Sequence, residues 1–170
     1  MKRGMVRIFF TVLSISLLLS GCCDKVSTEI NIYFPNQIWQ TLIPIDTCFE
    51  ITNLKKTYEI KVALEVVDGF YLDEIPLEIV ITSPSGQQNI IGKTLVIKLD
   101  DKYIGEVIGD IWTTSLTLYP FKQFSETGTY SVQILNRTQY YELSKVKSLS
   151  FEIQPVKEPK EKKRKNHGTH

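Results

Sequence analysis

Histidine is almost missing from this sequence. The two present, His167 and His170, stand at the extreme C-terminus behind a charged run. A Ser-His-Asp or Cys-His catalytic site needs an imidazole held by a scaffold. Ordinary zinc and copper sites draw on the same side chain. The expectation is therefore a protein that is not an enzyme, with no metal and no cofactor. Cysteine is scarce as well, at three residues, which is too few for a disulfide framework. No internal repeat is visible, and no long segment carries apolar residues at helical spacing. The longest apolar run, residues 8–19, falls short of the roughly 20 residues that a spanning helix needs.

That run has a different use. It follows Lys2, Arg3 and Arg7 and is followed by Ser20 and Gly21. A basic start, a short apolar core and small residues read as a secretory signal peptide. The segment closes on Leu19-Ser20-Gly21-Cys22, which resembles the bacterial lipobox. The resemblance implies cleavage before Cys22, a thioether lipid on its sulfur and an acyl chain on its amine. Each buried lipid methylene contributes about 0.8 kcal/mol, and more than one chain gives stable attachment. The expected division is a signal peptide over 1–21, a lipidated linker over 22–27, one folded domain over 28–154 and a basic disordered tail over 155–170.

Charge is balanced in total and uneven in place. Removing three leader charges from the formal +1 leaves −2, and the tail's surplus of +4 leaves −6 on residues 22–154. An acidic body is unsuited to nucleic acid, which calls for a basic face. The tail's KEKKRK run reads as a solvated segment, with anionic lipid headgroups or an acidic partner as the alternative contact. Apart from Cys22, Cys23 and Cys48 remain. Pairing between them depends on geometry that spacing does not reveal.

The body is rich in period-two patterns. Tyr58, Ile60, Val62, Leu64 and Val66 share one face of TYEIKVALEV. Leu77, Ile79 and Ile81 do so in PLEIVIT, Leu95, Ile97 and Leu99 in TLVIKL, and Tyr130, Val132 and Ile134 in TYSVQI. Leu149, Phe151 and Ile153 close the series, while EINIYF and DTCFEIT are weaker versions near its start. Turn residues separate the runs, among them Ser83-Pro84-Ser85-Gly86 and Asp100-Asp101. Seven to nine short strands with short connections predict an all-β antiparallel sandwich of jelly-roll or immunoglobulin-like layout. A helical turn near 119–124 or 140–145 is the one departure the pattern allows.

Two sets of side chains invite a functional reading. Asp68, Asp73 and Glu74 flank an aromatic pair, and Asp100 and Asp101 sit together in an expected turn. Their spacing fits neither a calcium loop nor a glycosidase pair, and turn chemistry accounts for them. Aromatic residues are the better candidates. Trp39 reads as core, whereas Phe70, Tyr71, Trp112, Tyr140 and Tyr141 are candidates to grip a partner or a glycan.

The order of features adds a resemblance. INIYFPNQIW follows the lipobox, then Cys48-Phe49-Glu50-Ile51 and the Tyr58 strand, then TLVIKLDDKYIGEVIGDIWTTSL, and finally FSETGTYSVQILNR. This is similar to the gliding-motility lipoprotein (GldH) family of Bacteroidetes over roughly residues 20–155. Gly105, Gly109, Asp110, Gly128-Thr129-Tyr130 and Arg137 carry most of the likeness. VVDGFYLDEIPLEI lacks the family's Arg and Asn, which marks a divergent member. The resemblance implies a non-enzymatic accessory of the gliding machinery, linked to type IX secretion. It would sit in the outer membrane facing the periplasm and act through contacts with other envelope proteins. A lipoprotein that binds glycan or surface polymer through exposed aromatics is the competing expectation.

Overall fold

The computed structural model describes residues 28–157, so Cys22, Cys23 and the tail from 158 lie outside the described residues. Backbone pairing builds thirteen strands among the described residues. The first five are β1 (Thr28–Tyr33), β2 (Ile38–Gln40), β3 (Ile45–Ile51), β4 (Thr57–Val67) and β5 (Glu74–Thr82). Next come β6 (Gln88–Val96), β7 (Lys98–Leu99), β8 (Lys102–Tyr103) and β9 (Glu106–Ile108). The last are β10 (Ile111–Lys122), β11 (Gly128–Asn136), β12 (Glu142–Ser144) and β13 (Val146–Val156).

The long strands pair as nested hairpins. β1 pairs with β13, β3 with β11, β4 with β10 and β5 with β6, all antiparallel. Successive nested pairs fall in alternate sheets. One sheet has the order β1-β13-β4-β10-β9, and the other has the order β3-β11-β5-β6. A long hairpin folded over in this way is a jelly roll, which buries one face of each sheet against the other.

The alternation read from the sequence supplies those inner faces. Tyr58, Ile60, Val62, Leu64 and Val66 of β4 are fully buried. Ile75, Leu77, Ile79 and Ile81 of β5 and Tyr130, Val132 and Ile134 of β11 face them in the core. Phe49 joins the two sheets. Its ring lies 5.3 Å from Tyr130 in its own sheet and 5.9 Å from Phe151 in the opposite one.

Several local expectations change. Leu99 does not join Leu95 and Ile97 in the core and is 64% exposed. The β6 ladder ends at Val96, and both Ile97 N–H and Lys98 N–H donate to the Asp73 carbonyl. The chain is thereby redirected into the β7–β8 ribbon. Asp100 and Asp101 turn that ribbon at φ 50 and 61, the left-handed geometry of a tight hairpin. The segments at 119–124 and 140–145 are not helical. Tyr119 lies in β10, and Glu142–Ser144 forms β12. The last strand also continues past 154, because Pro155 and Val156 stay in register with Tyr58 and Thr57.

The outer face of the first sheet carries paired charges. A bulge in β13 between Val146 and Ser148 sets two successive residues against one carboxylate. The Ser148 hydroxyl donates to Glu65 Oε2 at 2.7 Å, and the Lys147 ammonium lies 3.0 Å from it. The serine bond, then the lysine, hold the Glu65 carboxyl below its ordinary value against partial burial. Hydrogen bonds from Lys61 and Gln154 do the same for Glu59. A carboxyl lowered on folding adds stability that is fully present above its ordinary pKa and lost as pH falls through the lowered one. The unfolding temperature is therefore expected to be level near neutrality and to drop below about pH 4.5. Glu65→Gln should make that drop shallower in a pH series of thermal melts. An unchanged acid limb in the variant would contradict this assignment.

Candidate functional site

Strand register defines two ends of the sandwich. Thr28 of β1 lies opposite Ile153, and Thr57 of β4 lies opposite Val156. Both limits of the described chain are therefore at one end. At about 3.3 Å per residue, β4 carries the chain roughly 35 Å to the other end. There the β4–β5 loop, the β11–β12 loop and the β2–β12 ribbon meet.

The β4–β5 loop is held by backbone and by one lysine. Val67 N–H donates to the Lys145 carbonyl at 2.9 Å, and Lys145 Nζ donates to the Asp68 carbonyl at 2.8 Å. Gly69 adopts φ +78, and a Cβ there would collide with Lys145 Nζ. This turn sends Phe70 inward and Tyr71 outward. Phe70 has no exposed surface, so its candidacy as a contact residue is corrected: it is part of the core. Adjacent residues in an extended loop point to opposite sides, and only one of the pair can reach a partner.

Tyr71 is 45% exposed, and its ring lies 5.4 Å from Phe70 and 5.4 Å from Tyr140. Its hydroxyl donates to the Glu142 carbonyl at 3.4 Å. Partial burial, with Tyr140 and Glu142 nearby, raises the Tyr71 pKa. Trp112 is half-buried, stacked on Tyr103 at 4.8 Å. Tyr103 donates its hydroxyl proton to the Phe70 carbonyl at 3.2 Å, which ties that stack to the loop. Tyr141 is 68% exposed, and its carbonyl accepts from Thr41 N–H at 3.0 Å. The fold thus gathers all five aromatic candidates at one end. Tyr71, Tyr140 and Tyr141 are available at the surface, Trp112 is half covered, and Phe70 is not available.

Sequence reasoning missed the groove beside them. A cleft of about 530 Å³ is lined by Phe34, Trp39, Ile43, Pro44, Asp46 and Glu142, among others. Trp39 is buried as expected and stacks on Phe34 at 5.3 Å. Ile43 and Tyr33 line the cleft and stand exposed, and Leu42, the neighbour of Ile43 in sequence, is exposed as well. The available signal was Leu42-Ile43-Pro44, apolar residues in a stretch with no alternation. The groove and the tyrosines share Glu142 as their boundary.

Two of the acidic candidates enter the fold through their backbone. Asp68 N–H donates to the Asp110 carbonyl at 2.8 Å, and Asp73 caps the end of β6. Among the described residues no group of three His, Cys, Asp or Glu is placed to hold a metal ion. Cys48 is a half-buried free thiol, and its pairing with Cys23 concerns a residue outside the described ones. Among the described residues no helix is long and apolar enough to cross a membrane.

No protein-family model matches the chain, and no curated protein matches it. Among solved structures, a chain from the structure of infectious bursal disease virus, Gx strain, aligns at 12% identity with a TM-score of 0.34. The alignment covers 80% of this chain and spans 31% of the viral one. A likeness at that score carries no weight for fold or function.

Proposed function

We propose that this chain is a lipid-anchored, non-enzymatic module of the cell envelope that grips a protein partner with the end opposite its anchor. The observation behind the reading is the register of the outer strands. β1 begins opposite Ile153, so the described chain starts at the end remote from the groove. An anchored domain of this form holds its aromatic end away from the bilayer.

The chemistry of that end favours protein over sugar. Tyr71 and Tyr140 meet at 83°, edge to face, and offer no flat platform for a sugar ring. Beside them the exposed Tyr33 and Ile43 border an apolar groove. Contiguous exposed apolar surface marks protein contact. Asp46 and Glu142 line the same groove. An extended apolar segment with a basic residue beside it is the complement. The resemblance to the gliding-motility lipoproteins supplies the partner class: envelope proteins of the gliding and type IX secretion apparatus, met at the periplasmic face of the outer membrane.

Ile43→Asp tests the reading. Ile43 is 58% exposed, so the change should move stability by no more than about 0.5 kcal/mol. Copurification of envelope partners from detergent extracts is expected to fall about tenfold or more, since a buried apolar anchor contributes most of such binding. Undiminished copurification with a normally folded variant would sink it.

A further inference from the structure

The opposite end of the sandwich holds a second cleft of different character. It lies between β6 and β10, which belong to different sheets and share no backbone ladder. Its volume is about 470 Å³, within the range that holds one or two rings of a small ligand. Gln87, Gln88, Asn89, Tyr119, Lys122 and Gln123 supply most of its polar lining. Beneath them are the buried rings of Phe124 and Tyr130.

Strand irregularity positions these groups. The register of β10 against β4 shifts between Thr117 and Tyr119 and again between Tyr119 and Lys122. Bulges re-aim side chains, and they gather near binding sites. Here the shifts set Tyr119 across the seam, where its hydroxyl accepts from Asn89 Nδ2 at 2.6 Å. The bond leaves the Tyr119 proton to donate and the Asn89 Oδ1 to accept. The side chains of Gln87 and Gln88 add amide donors and acceptors at the mouth, with no bond to other side chains among the described residues.

This composition selects its ligand by elimination. No carboxylate lines the cleft, so a metal ion has no ligands there. One ammonium, Lys122, is too little for a phosphate cradle. That ammonium also stands 5.0 Å over the Tyr119 ring, which leaves at most one face of that ring for stacking. A pyranose fits what remains. Its vicinal hydroxyls each need a donor and an acceptor, which amides and a phenol provide.

We propose that the β6–β10 cleft is a saccharide-binding site. It is separate from the partner surface, which lies at the far end of the molecule, and it stands if that surface proves inert. The sugar is either part of a soluble glycan or the head of a glycolipid, and the hydroxyl chemistry is common to both.

The test uses the full chain, purified in a detergent without sugar headgroups. Hexamers of glucose, mannose, N-acetylglucosamine and galacturonic acid are titrated and read by calorimetry, with adenosine as a comparison. A second arm uses phosphatidylethanolamine vesicles with and without glucosyl diacylglycerol. Binding in either arm, weakened about tenfold by Gln88→Ala and by Gln123→Ala, is the expected result. Lys93→Ala, an exposed change elsewhere on β6, should leave it unchanged. Binding of free hexamers identifies a glycan, and binding confined to glycolipid vesicles identifies a lipid head. Thermal melts establish that each variant is folded. The proposal is overturned if no sugar binds in the millimolar range, if adenosine binds in place of sugar, or if folded variants bind as well as the parent.

Discussion

Phe49→Ala is expected to remove about 3–5 kcal/mol of folding stability, the usual cost of emptying a buried aromatic site. The ring has no exposed surface and sits where the two sheets meet. It stacks within 2° of parallel on Tyr130, meets Phe124 at 5.6 Å and contacts Phe151 of the opposite sheet. Removing it leaves a cavity bounded by aromatic side chains from two strands and a loop, which cannot all move inward together. A domain of this size has about 5–15 kcal/mol in total, so the loss is a large share. Urea unfolding should show a much lower midpoint with the same slope. Tyr141→Ala, an exposed change, should stay within about 0.5 kcal/mol of the parent. A loss below about 1.5 kcal/mol for Phe49→Ala would mean that the two sheets do not depend on this contact.

Cys22→Ala is expected to have the largest effect on location. Lipid attachment at a lipobox needs the thiolate sulfur, and alanine offers no atom to alkylate. Labelling with an alkyne-bearing fatty acid should fall to background, and the protein should disappear from the outer-membrane fraction. The leader would remain uncut, so the variant should also run larger than the parent. Persistent labelling of Cys22→Ala, or its continued presence in outer membranes, would refute lipidation at this residue. Cys23 next to it serves as the internal comparison: Cys23→Ala should label and fractionate as the parent does.

Much of the fold was legible because burial imposes a period of two. β4, β5, β11 and β13 bury one face and read cleanly in the sequence. β10 did not, although it is the longest strand. Past Thr113 it pairs with β4 alone, it slips register twice, and its few apolar residues change face after Leu118, at Tyr119 and Phe121. β6 is an edge strand with only Leu95 buried, so little in its pattern is under constraint. Nested pairing was invisible for another reason. β1 finds β13 across nearly the whole domain, and no local signal marks a partner so distant.

The site was legible in part. The aromatic excess was visible, but which rings reach solvent depends on the Gly69 turn and on Lys145 folding over it. Phe70 and Tyr71 look alike in sequence, and the turn separates them. The groove at Ile43 is formed by segments that meet only after the β2–β12 ribbon closes, with Leu143 set opposite Trp39. The Tyr119 cleft depends on two bulges in a strand the pattern did not reveal.

The account rests on an anchor at one end and a protein partner at the other. A photo-reactive amino acid placed at position 43, in the protein expressed in its own envelope, tests this most directly. Irradiation followed by mass spectrometry should yield adducts with envelope proteins of the gliding or type IX secretion apparatus. The same group at position 56, in the loop at the anchor end, should yield few of them. Position 43 without protein adducts, or with the same adducts as position 56, would contradict the account.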